Sequence, residues 1–137
     1  MKKLFIIALL ILPFLSCKKT KEEIGQDLII QAMTTGQWVI TKFTLDANNI
    51  TADFSEYKFQ YYSNKTVDAI KNGTTEKTGT WDGNATAMTI WANFPNVSYP
   101  LNLINGTWQI TNNSWTYVEA SQTNGTDVKT LRLDKLP

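Results

Sequence analysis

EYKFQYYSNKTVDAIKNGTTEKTGTW, residues 56–81, decides the fold of this chain. In its first third, Tyr57, Phe59 and Tyr61 alternate with Lys58, Gln60 and Tyr62, the period of two that puts one set of side chains on each face of a strand. Two further β-rich runs follow, Thr66 to Asn72 and Glu76 to Trp81. The links, Asn64-Lys65 and Asn72-Gly73, suit tight turns with positive φ. Strands joined by turns this short must be antiparallel neighbours.

The same grammar extends in both directions. Upstream lies QWVITKFTL (37–45); downstream come TAMTIWANF (86–94), TWQITN (107–112), SWTYVEA (114–120) and VKTLRLDKL (128–136). Asp82-Gly83, Asn112-Asn113 and Asn124-Gly125 read as the remaining hairpin turns. One longer link, PNVSYPLNLING (95–106), has room for a helical turn around Leu101 to Ile104. The count is eight strands. Twist curls so long a meander and its open edges need closing, so the expected fold is all-β, an eight-stranded antiparallel up-and-down barrel behind a short N-terminal helix. A two-sheet sandwich is the rival. The first strand carries apolar residues on both faces, Trp38 and Ile40 against Val39, Phe43 and Leu45, which predicts a bulge or bend.

A barrel of eight strands is just wide enough to be filled by side chains or to hold one small ligand. Alternation assigns to the inward face Trp38, then Tyr57, Phe59 and Tyr61, then Met88 and Ile90, Trp108 and Ile110, Trp115 and Tyr117, and finally Leu131 and Leu133. So many aromatics can fill a core completely. They can equally line an apolar pocket with a few phenol and indole handles.

Ahead of the barrel, Thr20 to Gly36 reads as a helix, with Thr20 as N-cap, Glu22 and Glu23 in the first turn, an apolar stripe of Ile24, Leu28 and Met33, and Gly36 as its stop. Before it, Met1-Lys2-Lys3 leads an apolar run from Leu4 to Leu15 that only Pro13 interrupts. That run is shorter than the roughly 20 residues a spanning helix needs, and its flanks suit a secretory signal peptide, residues 1–16. An ordinary cleavage site would need small residues at the first and third positions before the cut, and Phe14 fails that test. Phe14-Leu15-Ser16-Cys17 instead resembles the lipobox of bacterial lipoproteins, with Leu15 one position from its commonest place. The resemblance implies cleavage before Cys17, a diacylglycerol on its sulfur and an acylated amino terminus, enough acyl chains for stable anchoring. The alternative is a signal anchor with a free thiol. A disulfide within the chain is excluded, because Cys17 is the only cysteine.

On that reading residues 17–21 are the lipidated Cys and its tether, and residues 22–137 the barrel domain. Lys18 rather than Asp follows the Cys, which resembles lipoproteins of the outer membrane more than those kept in the inner one. Lys21-Glu22-Glu23 resembles a Lys-plus-acidic signal for the cell surface, so both the periplasmic and the external side stay open. Loss of Lys2 and Lys3 from 13 basic residues leaves 11 against 12 acidic, a mature charge of −1. Nothing in that balance suggests nucleic acid.

An enzyme is not expected. With no histidine the chain lacks the usual general base and the usual transition-metal ligand. The near pairs Asp53 with Glu56 and Asp127 with Asp134 read as solvated carboxylates, and no cofactor or metal is implied. Many of the Asn-x-Ser/Thr triplets, such as Asn64-Lys65-Thr66 and Asn72-Gly73-Thr74, fall where hairpins need Asn.

Gly36-Gln37-Trp38, entering the first strand after a short helix, resembles the Gly-x-Trp signature of lipocalins. The wider pattern of GQWVITKF, TADFSEYKFQY, GTW before MTI, PLNLINGTWQIT and a closing LRLDKL is similar to bacterial lipocalin-like lipoproteins over about residues 30–136. The chain departs from larger lipocalins in ending at its last strand and in lacking a Thr-Asp-Tyr motif. Arg132, the only Arg, lies in that strand. The resemblance implies a cation–π contact with Trp38, whereas alternation with Leu131 and Leu133 turns Arg132 outward. For function the resemblance implies a membrane-anchored monomer that binds a small hydrophobic molecule, with Trp38, Tyr57, Phe59, Tyr61, Met88, Ile90, Trp108, Trp115 and Tyr117 around it. An avidin-like, biotin-binding barrel is a more distant likeness. The alternative is a protein-interaction module with a filled core, presenting DANNITADFSE (46–56) and PNVSYPLNL (95–103).

Overall fold

A computed structural model describes residues 21–137. The lipobox, Cys17 and the Thr20 cap lie outside these residues, as do the side chains of Lys21 to Ile24. Helix α1 (Lys21–Thr34) leads into nine strands, β1 (Trp38–Leu45), β2 (Asn48–Asn49), β3 (Tyr57–Tyr61), β4 (Thr66–Lys71), β5 (Thr74–Asn84), β6 (Thr89–Asn93), β7 (Gly106–Asn113), β8 (Tyr117–Asn124) and β9 (Asp127–Lys135). Every neighbour in the order β1-β3-β4-β5-β6-β7-β8-β9 is antiparallel, and β9 pairs back onto β1 from Trp38↔Lys135 to Leu45↔Lys129. The meander therefore closes as an eight-stranded up-and-down barrel, as its turns require. The two-residue β2 is a small hairpin partner added outside the ring. The seam between β1 and β3 is the shortest, with Trp38↔Phe59 as its one paired position and a Gln37 to Gln60 side-chain hydrogen bond of 3.0 Å beside it.

The mixed pattern of β1 is resolved by a bulge between Ile40 and Lys42. One extra residue resets the alternation, so Trp38 and Ile40 point inward before it and Phe43 after it, while Thr41 and Lys42 are exposed. At one end, Phe54 of the 3-10 turn Thr51–Phe54 stacks on Phe43 at 4.7 Å, and Phe43 meets Trp108 edge-on at 5.8 Å. Phe94, Leu101 and Ile104 complete that plug, and the Trp108 indole donates to the Ile104 carbonyl at 2.7 Å. The expected helical turn in the long link is the 3-10 turn Leu101–Leu103. We call this the closed end.

The opposite end carries the β3–β4, β5–β6 and β7–β8 turns and the helix. Gly36, at φ 78°, ends the path out of α1 in a conformation that glycine adopts freely, and Trp38 enters the barrel two residues later. The Trp38 indole reaches back to donate to the Met33 carbonyl at 3.0 Å, tying the helix to the barrel floor.

Two predicted turns are displaced. Asp82-Gly83 is not a turn: β5 runs through to Asn84, and the reversal is Ala85 to Met88. Gly83 serves packing instead, since a Cβ there would lie 2.6 Å from Ile29 Cγ2 and would push α1 off the strand. Asn112-Asn113 also belongs to strand, and the chain reverses at residues 114–116 after a register shift between Ile110 and Asn112.

Candidate functional site

The barrel centre is filled. Trp38, Phe59, Tyr61 and Trp108 are almost wholly buried, as is Trp81, a residue the alternation argument left out. Tyr61 packs edge-on against Trp81 at 5.2 Å, and Phe59 meets Phe94 at 6.3 Å. Between Phe59, Tyr61 and Trp108 on one side and Ile40, Ile90, Leu131 and Leu133 on the other lies a void of about 30 Å³, the room of one water molecule and far below that of a ligand. Trp38, Tyr57, Phe59, Tyr61 and Trp108 are therefore packing residues. Tyr57 sits at the closed-end rim of β3, where its hydroxyl donates to Glu76 Oε2 at 2.5 Å; burial, with that carboxylate, pushes its pKa up to about 12. Burial alone raises that of Tyr61.

The space lies at the open end, between α1 and the barrel mouth. It is a cleft of about 790 Å³, within the range of small-molecule sites. Helix α1 supplies one wall through Gly25, Leu28, Ile29, Ala32 and Met33. The β5–β6 turn supplies Ala85, Thr86 and Met88; the strand ends give Ile90, Ile110 and Val118; the β7–β8 turn closes it with Asn113, Ser114 and Trp115. Among the described residues no charged side chain is in this lining. Its polar side-chain groups are the Asn113 amide, the Thr86 and Ser114 hydroxyls and the Trp115 indole N–H.

Local chemistry fixes each wall. Gln26 clasps the turn: its amide nitrogen donates to the Gly83 carbonyl at 2.5 Å, and its oxygen accepts from the Ala85 N–H at 3.1 Å. Ile29 fills the gap that Gly83 leaves. Asn84 accepts from the Ala87 N–H at 3.0 Å, and Gln109 donates to the carbonyls of Ala87 and Met88 at 3.1 and 2.9 Å. This holds Met88, at φ 52°, with its side chain at the mouth. The β7–β8 reversal is tied by Ser114 N–H to Tyr117 carbonyl at 2.9 Å and by Thr116 N–H to Ser114 Oγ at 3.1 Å, which leaves Trp115 on the rim.

Of the residues expected to surround a ligand, Met88, Ile90 and Trp115 do line this cleft, together with Ile110. Met88 and Trp115 are exposed rim residues and do not sit inside the barrel. Tyr117 faces outward, contrary to expectation. With the reversal at 114–116, the inward set of β8 is Val118 and Ala120, small residues where the interior is already full. On the outer wall, Tyr117 lies under the Arg132 guanidinium at 4.3 Å. Arg132 pairs there with Glu119 at 2.7 Å and forks onto Asp134 at 2.9 and 3.1 Å. Arg132 thus faces outward, as alternation predicts, and the contact with Trp38 that the resemblance implies is not formed. The cation over Trp38 is Lys135, at 5.0 Å. Asp134 is held below the usual carboxylate range chiefly by Arg132, and Asp53 accepts from the Tyr99 hydroxyl.

The helix wall could not be assigned to the site from sequence. Its stripe pointed only to packing, and Gly25, Ala32 and Gly83 carry no chemical signal beyond being small. Their spacing signals close approach of a helix to a strand only once the two elements are known to meet.

No protein-family model matches the chain, and no curated protein does. Among solved structures the chain is similar to the crystal structure of a DUF4847 family protein from Bacteroides vulgatus, at a TM-score of 0.55 and 13% identity, over 80% of this chain and 99% of that one. At that identity the likeness concerns the fold, and the chain shares its barrel architecture with this neighbour.

Proposed function

We propose that the chain is an exported, non-enzymatic lipoprotein, tied as a monomer to the outer membrane through lipid on Cys17, which holds an apolar molecule in the cleft between α1 and the barrel mouth. The observation that carries the binding reading is the cleft of about 790 Å³, uncharged among the described residues, beside a centre whose void is about 30 Å³. It moves the lipocalin-like expectation from the calyx to the mouth. The anchor reading rests on Phe14-Leu15-Ser16-Cys17 after a basic start and a short apolar run.

Two measurements test these parts separately. Intact mass of the membrane-extracted protein is expected to show a mature chain beginning at Cys17 with acyl mass added. A Cys17→Ala form that still partitions with membranes at the mature size refutes the anchor. For the cleft, titration with an apolar fluorophore is expected to saturate at one per chain, with binding weakened by Ala32→Trp, which fills the helix wall. Equal binding by that variant refutes the site.

The filled centre also favours a second reading, a protein-interaction module presenting the closed-end loops, where Tyr99 is exposed on the 95–103 segment. Substitution of Tyr99 would then abolish partner binding with the cleft intact.

A further inference from the structure

The cleft's rim and the place where the chain enters it point to a more specific occupant. Leu28, Met88 and Trp115 ring the opening with 43, 40 and 52% of their surfaces exposed. Three large apolar side chains around one opening are costly to leave in water, and a Trp at such a rim suits the boundary between water and hydrocarbon. Among the described residues the lining behind them has no cation to meet a carboxylate or phosphate, so these residues offer a charged head no seat inside. The other end is plugged by Phe54, Leu101 and Ile104, which leaves this opening as the entrance.

The first described residues of the chain stand at the same rim. Gly25 packs so closely on Ala85 of the β5–β6 turn that a Cβ there would lie 3.1 Å from the Ala85 methyl, and Lys21 is one helical turn before it. Four peptide steps separate Cys17 from Lys21, a reach of at most roughly 14 Å. An anchor at Cys17 therefore holds this end of the barrel against the bilayer.

We propose that the cleft takes one acyl chain of a bilayer phospholipid, drawn in through the Leu28–Met88–Trp115 rim while the headgroup stays outside. This rests on the anchored, mouth-binding reading above. It adds a source, the bilayer, and an orientation, rim towards lipid.

The test uses the full-length lipidated protein in phosphatidylethanolamine and phosphatidylglycerol vesicles whose phospholipids carry bromine, a tryptophan quencher, near the methyl end of the chain. In a hydrocarbon core about 30 Å thick that end lies near the midplane, roughly 15 Å from a tryptophan at the surface. Chain-end bromine is expected to quench Trp115 only when a chain has left the bilayer for the cleft. Trp115→Phe should abolish this quenching, and Trp91→Phe, on the outer wall of β6, should leave it. Leu28→Asp, at an exposed position that does not burden folding, should weaken occupancy about tenfold, since it sets a charge in an apolar seat. Vesicle flotation is read in parallel. Protein that floats with no chain-end quenching of Trp115 overturns the proposal alone, including the case where its own unlabelled anchor fills the cleft. Protein that fails to float overturns the anchor reading and this proposal together.

Discussion

Gly83→Ala is the most incisive perturbation of the cleft, because one methyl acts on the wall without touching the barrel core. The new Cβ would stand 2.6 Å from Ile29 Cγ2, where carbon atoms rest at about 3.5 to 4.0 Å. About 1 Å must be found. If α1 moves by that much, the Gln26 bonds to Gly83 and Ala85, now 2.5 and 3.1 Å, stretch to or beyond the hydrogen-bond limit. Overpacking of this kind costs about 1–3 kcal/mol, and each lost hydrogen bond about 0.5–1.5 kcal/mol. Against this, exchanging glycine for alanine gains about 0.4–1 kcal/mol through the unfolded chain. The net expectation is a loss of about 1–5 kcal/mol in urea unfolding, with far-UV circular dichroism of the barrel unchanged and apolar-probe binding weakened. The decisive comparison is a double-mutant cycle. With Ile29→Ala the opposing Cγ2 is gone, so Gly83→Ala should become neutral or stabilising there, a coupling of at least about 1 kcal/mol. Equal cost of Gly83→Ala in both backgrounds would refute the claim that Gly83 exists to admit the helix.

Three further outcomes are expected. Tyr57, at about 12, and Tyr61, also raised, keep their protons in the fold at pH values where the unfolded chain, at about 10, has lost them. Stability should therefore hold below pH 10 and fall above it by up to about 1.4 kcal/mol per pH unit for each tyrosine; Tyr61→Phe should shallow that fall in alkaline denaturation, and an unaltered slope would contradict the assignment. Phe54→Ala removes the ring stacked on Phe43 at the closed end and should cost about 3–5 kcal/mol by urea unfolding, with mouth binding retained. Arg132→Ala breaks its pairs with Glu119 and Asp134 on a solvated wall and should leave the urea midpoint nearly unchanged; a clear drop would mean that Arg132 serves the core.

The barrel was legible because strands and hairpins are local. Tyr57, Phe59 and Tyr61 alternate within five residues, and Asn72-Gly73 adopts the positive φ that its composition suggests. The bulge in β1 was legible too, since apolar residues on both faces of one strand leave few other solutions. What failed was phase and turn position wherever a small residue had two uses. Gly83 reads as a turn residue and is a packing residue. Asn112 and Asn113 read as a reversal and are strand, and that shift turns Tyr117 outward and leaves Trp115 on the rim. The helix wall was illegible for a different reason, since a contact between residue 29 and residue 83 is written in neither segment alone.

The location of the cleft follows from the same aromatic content that closes the core. With Trp38, Trp81, Trp108, Phe43 and Phe59 all directed inward, an eight-stranded barrel has no volume left for a guest. Space can then arise only where an element stands off the barrel. Helix α1 does so, held among the described residues at Gly25 against Ala85, at the Gln26 clasp and Ile29 on β5, and at the Met33 carbonyl under Trp38. Between those points Leu28 and Ala32 face the cleft at the mouth. A barrel with smaller inward residues would bind within its interior and leave the helix as a plug. Enlarging the centre should accordingly not strengthen binding at the mouth: Trp81→Ala is expected to open a core cavity and lower stability by about 3–5 kcal/mol, while apolar-probe binding keeps its dependence on Ala32. Probe binding that becomes indifferent to Ala32→Trp in the Trp81→Ala protein would show that the centre competes for the ligand, and that filling, rather than the helix, sets the site.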